Sequence, residues 1–282
     1  MRVALIYTDE PFYAGAGYDR AWTAALRERG ARVDLVPRVP DEDGGWDLAI
    51  AHVLVEEVVA CAPTFRAAAL LEASGVPMLN PVASLVASAD KLVTHRAWAA
   101  HGLLQPRTWP LGDAWPVRAG TPLVLKPAFC DGARHIALVR SPAEAHELEA
   151  AWREDEARGG ERRGTALLQE WIEEPVCVRL FATPDRVSPA YEKAREPGAL
   201  ITHGTVYPRV YPPPPAMAAL ARRMVAALGG GLMGVDILTD RDGRHLALEA
   251  NAPFGFDVTD PEQGRFVAEA ALARAGRVAA AA

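Results

Sequence analysis

The sequence predicts an α/β protein in which a Rossmann-like amino-terminal domain is followed by two α+β lobes. Over roughly the first 80 residues, short apolar runs alternate with amphipathic stretches that stop at glycine, the spacing of βαβ units. Later in the chain, apolar runs are paired across short polar turns, as in antiparallel hairpins. At 282 residues and 50% hydrophobic content, the chain is long enough to bury cores in two or three lobes. The boundaries implied are residues 1–85 for the first domain, 86–172 for a central lobe with a flap, and 173–282 for a carboxyl-terminal lobe.

Residues 2–7 read as a buried strand, 19–29 as a helix ending at Gly30, and 31–36 as the next strand. Residues 47–52 and 76–80 add strands, with a helix over 63–74 stopped by Gly75. Gly15-Ala16-Gly17 follows the first strand but lacks the third glycine of a dinucleotide fingerprint, so it reads as a loop shaping a substrate entrance.

After Pro81 comes a helical region ending at Gly102, in which Lys91 follows Asp90 near a helix start. Residues 121–126 and 135–139 are strands flanking a flap over 127–134. Ser141-Pro142-Ala143-Glu144 is a capping box opening a helix to about Ala157, and 166–172 is a strand carrying Gln169 and Glu170.

In the last lobe, residues 176–183 and 187–193 form a hairpin with Pro184-Asp185-Arg186 as its loop. That register sets Arg179 opposite Tyr191 and Cys177 opposite Lys193, placing Arg179 and Lys193 on one face. Residues 197–210 show no periodicity, while Met217, Leu220, Met224 and Leu228 give one apolar helix face halted by Gly229-Gly230-Gly231. Asp260-Pro261-Glu262-Gln263 caps a last helix, whose terminal alanines are expected to fray.

The most informative segment runs from Gly234 to Asn251. Closing it as a hairpin on a two-residue Asp242-Gly243 turn places Asp236 opposite Glu249, with Asn251 on their face and Val235, Ile237, Leu248 and Ala250 on the other. Two carboxylates facing one another are unfavourable unless a cation lies between them, and hard oxygen donors suit Mg²⁺ shared with nucleotide phosphates. The bland alternative is a solvated acidic hairpin.

Composition bounds the partners. A net charge of −6 and a pI near 5.7 give no general attraction to nucleic acid or to acidic membranes. The three cysteines, Cys61, Cys130 and Cys177, have no metal-type spacing and no even pairing, so a reducing cytoplasm is the expected compartment. No apolar run has the length of an export signal or a membrane span, so neither is expected. Only three of the 30 basic residues are lysines, Lys91, Lys126 and Lys193. Where arginine is the default cation, a retained lysine marks a need for a compact ammonium, as at phosphate sites. His95, His101 and His203 read as helix-surface or loop histidines, and Trp98, Trp152 and Trp171 as packing residues.

Asp90-Lys91, Leu125-Lys126-Pro127, Leu168-Gln169-Glu170-Trp171-Ile172, Val178-Arg179-Leu180-Phe181 and the Gly234-Val235-Asp236 … Leu248-Glu249-Ala250-Asn251 pair occur in this order across nearly the whole chain. In that order they resemble the ATP-grasp superfamily, in particular its RimK-like carboxylate–amine ligases. The resemblance implies the ATP-grasp fold, with ATP clamped between two α+β lobes. It implies adenine on the backbone of Gln169, Glu170, Trp171 and Ile172, ribose on Glu173 or Glu174, and phosphates on Lys91 and Lys126. It further implies Mg²⁺, as two ions replaceable by Mn²⁺, on Asp236, Glu249 and Asn251, with Arg179 and Lys193 facing the reacting carboxylate. Three departures stand out: a flap with a single glycine (Gly132), Cys177 where relatives carry an acid, and Thr202-His203-Gly204-Thr205 in the substrate loop.

The function expected on this resemblance is ATP-dependent amide or peptide bond formation through an acyl phosphate, between the carboxylate of an amino acid or small peptide-like metabolite and an amine, with release of ADP and phosphate. The alternatives are modification of a peptide or protein side chain, or a nucleotide-binding regulatory module without turnover. Substrate identity and homo-oligomerisation stay open.

Overall fold

The structure, a computed structural model, describes residues 1–7, 17–36, 44–112, 114–130, 135–194, 207–252, 254, 256–257 and 260–281. Strand β1 (Arg2–Tyr7) lies between β2 (Arg32–Leu35) and β3 (Leu48–His52), all parallel. Helices α1 (Tyr18–Arg27), α2 (Val55–Ala60) and α3 (Pro63–Ala73) connect and cover them. β3 and nearly all of β1 are buried, which explains their unbroken apolar runs. The short α2 was not foreseen. The expected strand over 76–80 shrinks to a single bridge, Ala49 with Met78, because the chain turns there to dock on the last lobe.

Asn80 makes that docking specific. Its amide donates to the Leu232 carbonyl (2.7 Å) and accepts from Gly231 N–H (2.9 Å) and Leu232 N–H (3.0 Å). Gly231 is required, since a Cβ there would fall 1.9 Å from the Leu79 carbonyl oxygen. Gly231→Ala is therefore expected to cost about 3 kcal/mol and to lower the midpoint of a thermal melt by several degrees. An unchanged melt would show that this junction is loose.

Helices α4 (Val82–Ala89) and α5 (Lys91–Ala100) are separated at Asp90, whose carboxylate accepts from the Leu92 and Val93 N–H groups at 2.8 and 3.2 Å. This cap makes Lys91 the first residue of α5. The Trp98 indole donates to the Met224 carbonyl at 3.1 Å, tying α5 to the helix of the last lobe that carries Met224. One apolar core runs from Ala4 and Ile6 through Trp98 to Met224, Val235 and Ala250, joining the first sheet to the last.

The central lobe has its own core of Leu123, Leu125, Val139, Ala145, Ala166 and Leu168. Its antiparallel sheet has the order β4 (Thr108–Pro110), β7 (Ala166–Glu170), β5 (Leu123–Pro127), β6 (Ala137–Val139). Helix α6 (Pro142–Ala157) covers it, with the Ser141 hydroxyl accepting the Glu144 N–H as the sequence predicts and the Glu144 carboxylate accepting the Arg140 N–H just before the helix. The short β4 was not foreseen.

The last sheet has the order β10 (Arg209–Tyr211), β9 (Ala190–Glu192), β8 (Val176–Ala182), β11 (Met233–Thr239), β12 (His245–Asn251). Helix α7 (Pro215–Ala227) packs on one face, and α8 (Pro261–Ala281), capped by Asp260, packs near α1. The terminal alanines continue α8 to Ala281 instead of fraying, and strand β10 arises where no periodicity was visible.

Both predicted hairpins keep their key pairings through compensating irregularities. In the β11–β12 hairpin the loop holds three residues, with Arg244 facing Asp240 (Asp240 N–H to Arg244 O, 3.1 Å) and Gly243 left-handed at φ 76°. This replaces the expected two-residue turn and shifts the register by one. A bulge between Asp236 and Ile237 shifts it back, so that Ile237 faces Ala247 while Asp236 faces Glu249. The extra residue is Leu248, which the bulge turns away from the helix-covered face where alternation had placed it. In the β8–β9 hairpin the loop is Pro184-Asp185, closed by Thr183 N–H to Arg186 O (2.8 Å), not three residues. An extra residue near Ser188 restores Arg179 opposite Tyr191, and the Ser188 hydroxyl accepts the Phe181 N–H at 2.9 Å. Among the described residues, no helix is long and apolar enough to cross a membrane.

Candidate active site

Neighbouring strands β8, β11 and β12 place Arg179, Asp236 and Glu249 in one row across the sheet. Arg179 grips Asp236 with two parallel bonds, Nε to Oδ1 at 2.6 Å and Nη2 to Oδ2 at 2.9 Å, and Lys193 Nζ adds a third at 2.9 Å. Asp236 is only 2% exposed. Burial alone would raise its carboxyl, but the Arg179 and Lys193 charges more than offset this and hold it well below the usual carboxylate range. Glu249 is partly exposed and pairs with Lys91 Nζ at 3.1 Å; burial and the Asp236 charge would raise its carboxyl, but the Lys91, Lys126 and Lys193 charges together more than offset them and hold it below its ordinary value.

Lys91 also donates to the Cys130 carbonyl, and its own N–H bonds the Ala128 carbonyl at 3.0 Å, so the root of the flap hangs on the start of α5. Lys126, on β5, is buried and donates to Gln169 Oε1 at 3.0 Å. The facing carboxylates are thus balanced by cations of the protein itself. Lys91, Lys126, Lys193 and Arg179 against Asp236 and Glu249 leave a surplus of positive charge, which suits a polyphosphate.

Burial, reinforced by the Lys91 charge, pushes the Lys126 ammonium down to about 8. A polyanion beside it favours the charged form, so binding takes up a proton wherever the free lysine is neutral. Nucleotide affinity is expected to be flat below about pH 7 and to fall as pH rises through 8 and beyond. Calorimetric titrations across pH 6.5–9.5 check this, and a constant affinity would contradict it.

The strand-to-hinge segment divides its side chains. Gln169 turns inward to Lys126, while Glu170 turns out to Arg107, accepting from its N–H at 3.2 Å. Glu173 and Glu174 are exposed and pair with Arg241 of the hairpin tip at 3.2 and 3.1 Å. Ile172 and Leu248 cover a small apolar patch of Cys177, Leu238 and Leu246, and Trp171 is half-buried beside it in sequence. The bulge that displaced Leu248 completes this patch.

His95 was misread as a surface histidine. It is buried, with Nε2 3.0 Å from Gln169 Nε2 and Nδ1 2.6 Å from Gln105 Oε1, and burial first, then the Lys126 charge, push it down to about 3. The signal available in the sequence was its position four residues after Lys91, on the same helix face. His101 does lie on the helix surface, with Nδ1 2.8 Å from the Ala97 carbonyl. His203, the segment Thr202 to Thr205, Gly15-Ala16 and flap residues 131–134 lie outside the described residues.

Among the described residues no three His, Cys, Asp or Glu side chains cluster as a metal cage. The donor set nonetheless fits Mg²⁺, which takes one or two carboxylates and completes its shell with water and phosphate oxygens. Glu249 has an oxygen beyond its Lys91 bond, Asn251 is half-buried beside Gly234 on the adjoining strand, and Asp236 retains part of its acceptor capacity behind Arg179 and Lys193.

No family model matches the chain. It is 27% identical over a 298-residue alignment to a probable alpha-L-glutamate ligase of Parasynechococcus marenigrum (strain WH8102), covering 95% of this chain and 60% of that protein. The chain therefore spans about three-fifths of the length of this curated relative. The D-cycloserine synthetase DcsG superposes with a TM-score of 0.68 at 17% identity, over 98% of this chain and all of the other. The ATP-grasp ligase PsnB, solved with minimal precursor, Mg and ADP, superposes with a TM-score of 0.61 at 17% identity, over 97% of both chains. With its three sheets in this arrangement and these superpositions over nearly all of its length, the chain has the fold of these ATP-grasp ligases.

Proposed function

We propose that the protein is an ATP- and Mg²⁺-dependent ligase that joins a small carboxylate to an amine, releasing ADP and phosphate. The observation that carries this reading is the row Lys91–Glu249–Asp236–Arg179 with Lys193 and Lys126 beside it, more cation than anion along one wall. In this reading Lys91 and Lys126 hold the nucleotide phosphates, and the backbone of Gln169 to Ile172 meets the base against the Ile172–Leu248 patch. Glu173 or Glu174 takes the ribose, exchanging its bond to Arg241.

Mg²⁺ would be held by Glu249, Asn251 and Asp236, as two ions, and when bound it neutralises charge on the transferring phosphoryl group. The chemistry needs no enzyme nucleophile. A carboxylate oxygen of the substrate attacks the γ-phosphorus, the bond to the β-bridging oxygen breaks, and ADP leaves. The amine then attacks the acyl phosphate carbonyl, the tetrahedral oxyanion collapses, phosphate departs, and the nitrogen loses a proton. Arg179 and Lys193 are the cations placed to meet the carboxylate and then that oxyanion. Arg179, locked by two bonds to Asp236, is pre-oriented for it.

The resemblance to RimK-like ligases gives a second reading, in which the acceptor or donor carboxylate lies on a peptide or protein side chain. A screen of ADP release against acid–amine pairs, glutamate-containing peptides and ATP alone separates the readings. Stimulation by acid and amine together supports the small-molecule ligase, stimulation by peptides alone supports the modifier, and tight ATP binding without turnover in any arm contradicts both.

A further inference from the structure

We propose that His95 is a positioning residue for Lys126, holding the Gln169 amide so that its oxygen, and not its nitrogen, faces the lysine ammonium. The proposal rests on the reading of Lys126 as a phosphate ligand. It follows from counting donors and acceptors along one buried chain of side chains.

An ammonium has three donors and no acceptor, so the Gln169 atom 3.0 Å from Lys126 Nζ is its oxygen. The Gln169 nitrogen therefore lies at the other end, donating to Thr108 Oγ1 at 2.8 Å and facing His95 Nε2 at 3.0 Å. Thr108 can accept because its own hydroxyl hydrogen goes to the Pro106 carbonyl at 3.1 Å. His95 Nε2 must then be unprotonated, so the ring proton sits on Nδ1 and is donated to Gln105 Oε1 at 2.6 Å. The Gln105 nitrogen closes the chain by donating to the His95 carbonyl at 2.9 Å. Each of these groups is satisfied in one direction only. With the other ring tautomer, Nε2–H would call for the Gln169 oxygen, the amide would flip, and two N–H donors would face the buried ammonium. The mechanism gives His95 no contact with substrate, and the ring acts through Gln169 alone.

The wiring is read directly in the unmodified protein by long-range ¹H–¹⁵N correlation at neutral pH. The expected result is His95 as the Nδ1–H tautomer, the minor form of free histidine, and an Nε2–H or doubly protonated ring would overturn the proposal. Its consequence is read by titrating a non-hydrolysable ATP analogue with Mg²⁺. Lys126→Ala is expected to weaken binding about thirtyfold and His95→Leu about tenfold, while His95→Gln, which keeps an acceptor and a donor, stays within about threefold of the unmodified protein. In the double variant His95→Leu/Lys126→Ala the loss should equal that of Lys126→Ala alone. Additive losses, or no loss in His95→Leu, would show a merely structural histidine and overturn the proposal. Unchanged binding in Lys126→Ala would remove the phosphate reading itself, and with it the role of His95, while the tautomer would still report on the wiring. If His95→Leu does not fold, the tautomer decides.

Discussion

Glu249→Gln is expected to abolish turnover, lowering ADP release with a competent substrate pair by about a thousandfold or more, while leaving the fold in place. The substitution keeps shape and removes one negative charge. Glu249 is the more accessible of the two facing carboxylates, with an oxygen not taken by Lys91, so it is the natural first ligand for a metal. Losing it also leaves Lys91 without its anion, which tilts the pocket further positive without supplying any metal charge at the γ-phosphoryl group. The global cost should be small because Glu249 is partly exposed and its partner Lys91 retains its bond to Cys130. Melting within a few degrees of the unmodified protein, with turnover gone, is the expected pair of results. Full activity would refute the metal assignment.

Asp236→Ala is expected to act in the opposite proportion, destabilising the whole chain by about 3–5 kcal/mol. Arg179 gives two hydrogen bonds and Lys193 one to this carboxylate, and both are largely out of solvent. Removing it takes away the anion that these two buried cations share. Denaturant unfolding followed by tryptophan fluorescence measures the loss. Because the pair is coupled, the double substitution Arg179→Met with Asp236→Ala should recover part of the stability lost in Asp236→Ala. A loss below about 1 kcal/mol for Asp236→Ala would show that the cluster is solvated and that Asp236 is free to serve as an ordinary metal ligand.

The parts of this site visible in the sequence were those fixed by local periodicity. Alternation put Arg179 with Lys193 on one face of the β8–β9 hairpin and Asp236 with Glu249 on one face of the β11–β12 hairpin, and the scarcity of lysine singled out Lys91, Lys126 and Lys193, all three of which meet in the cluster. The hairpin register came out right at Asp236 and Glu249 although the turn assumed was a residue too short, because a bulge at Leu248 cancelled the error. Period-two alternation has no means of signalling a bulge, so the same irregularity misplaced Leu248 and hid the apolar patch it completes with Ile172.

The cations that neutralise Asp236 and Glu249 were foreseen as ligands for substrate, not as partners of the carboxylates, since pairing across strands depends on rotamers that no spacing encodes. His95 was missed for a related reason. Its burial is decided by β7 and the approach to β4, ten residues away at Gln105 and 74 at Gln169. Short strands such as β4 and β10 owe their existence to neighbours already in the sheet, and their three residues carry too little pattern to be read alone.

The central claim is that the cleft wall of Lys91, Lys126, Glu249 and Asn251 holds a magnesium nucleotide. A crystal structure with Mg²⁺ and a non-hydrolysable ATP analogue tests it most directly. The account predicts β- and γ-phosphate oxygens within hydrogen-bonding distance of both lysine Nζ atoms, metal on Glu249 and Asn251, and the base against Ile172 and Leu248. A nucleotide bound elsewhere, with the Lys91–Glu249 pair intact and no metal beside it, would contradict it.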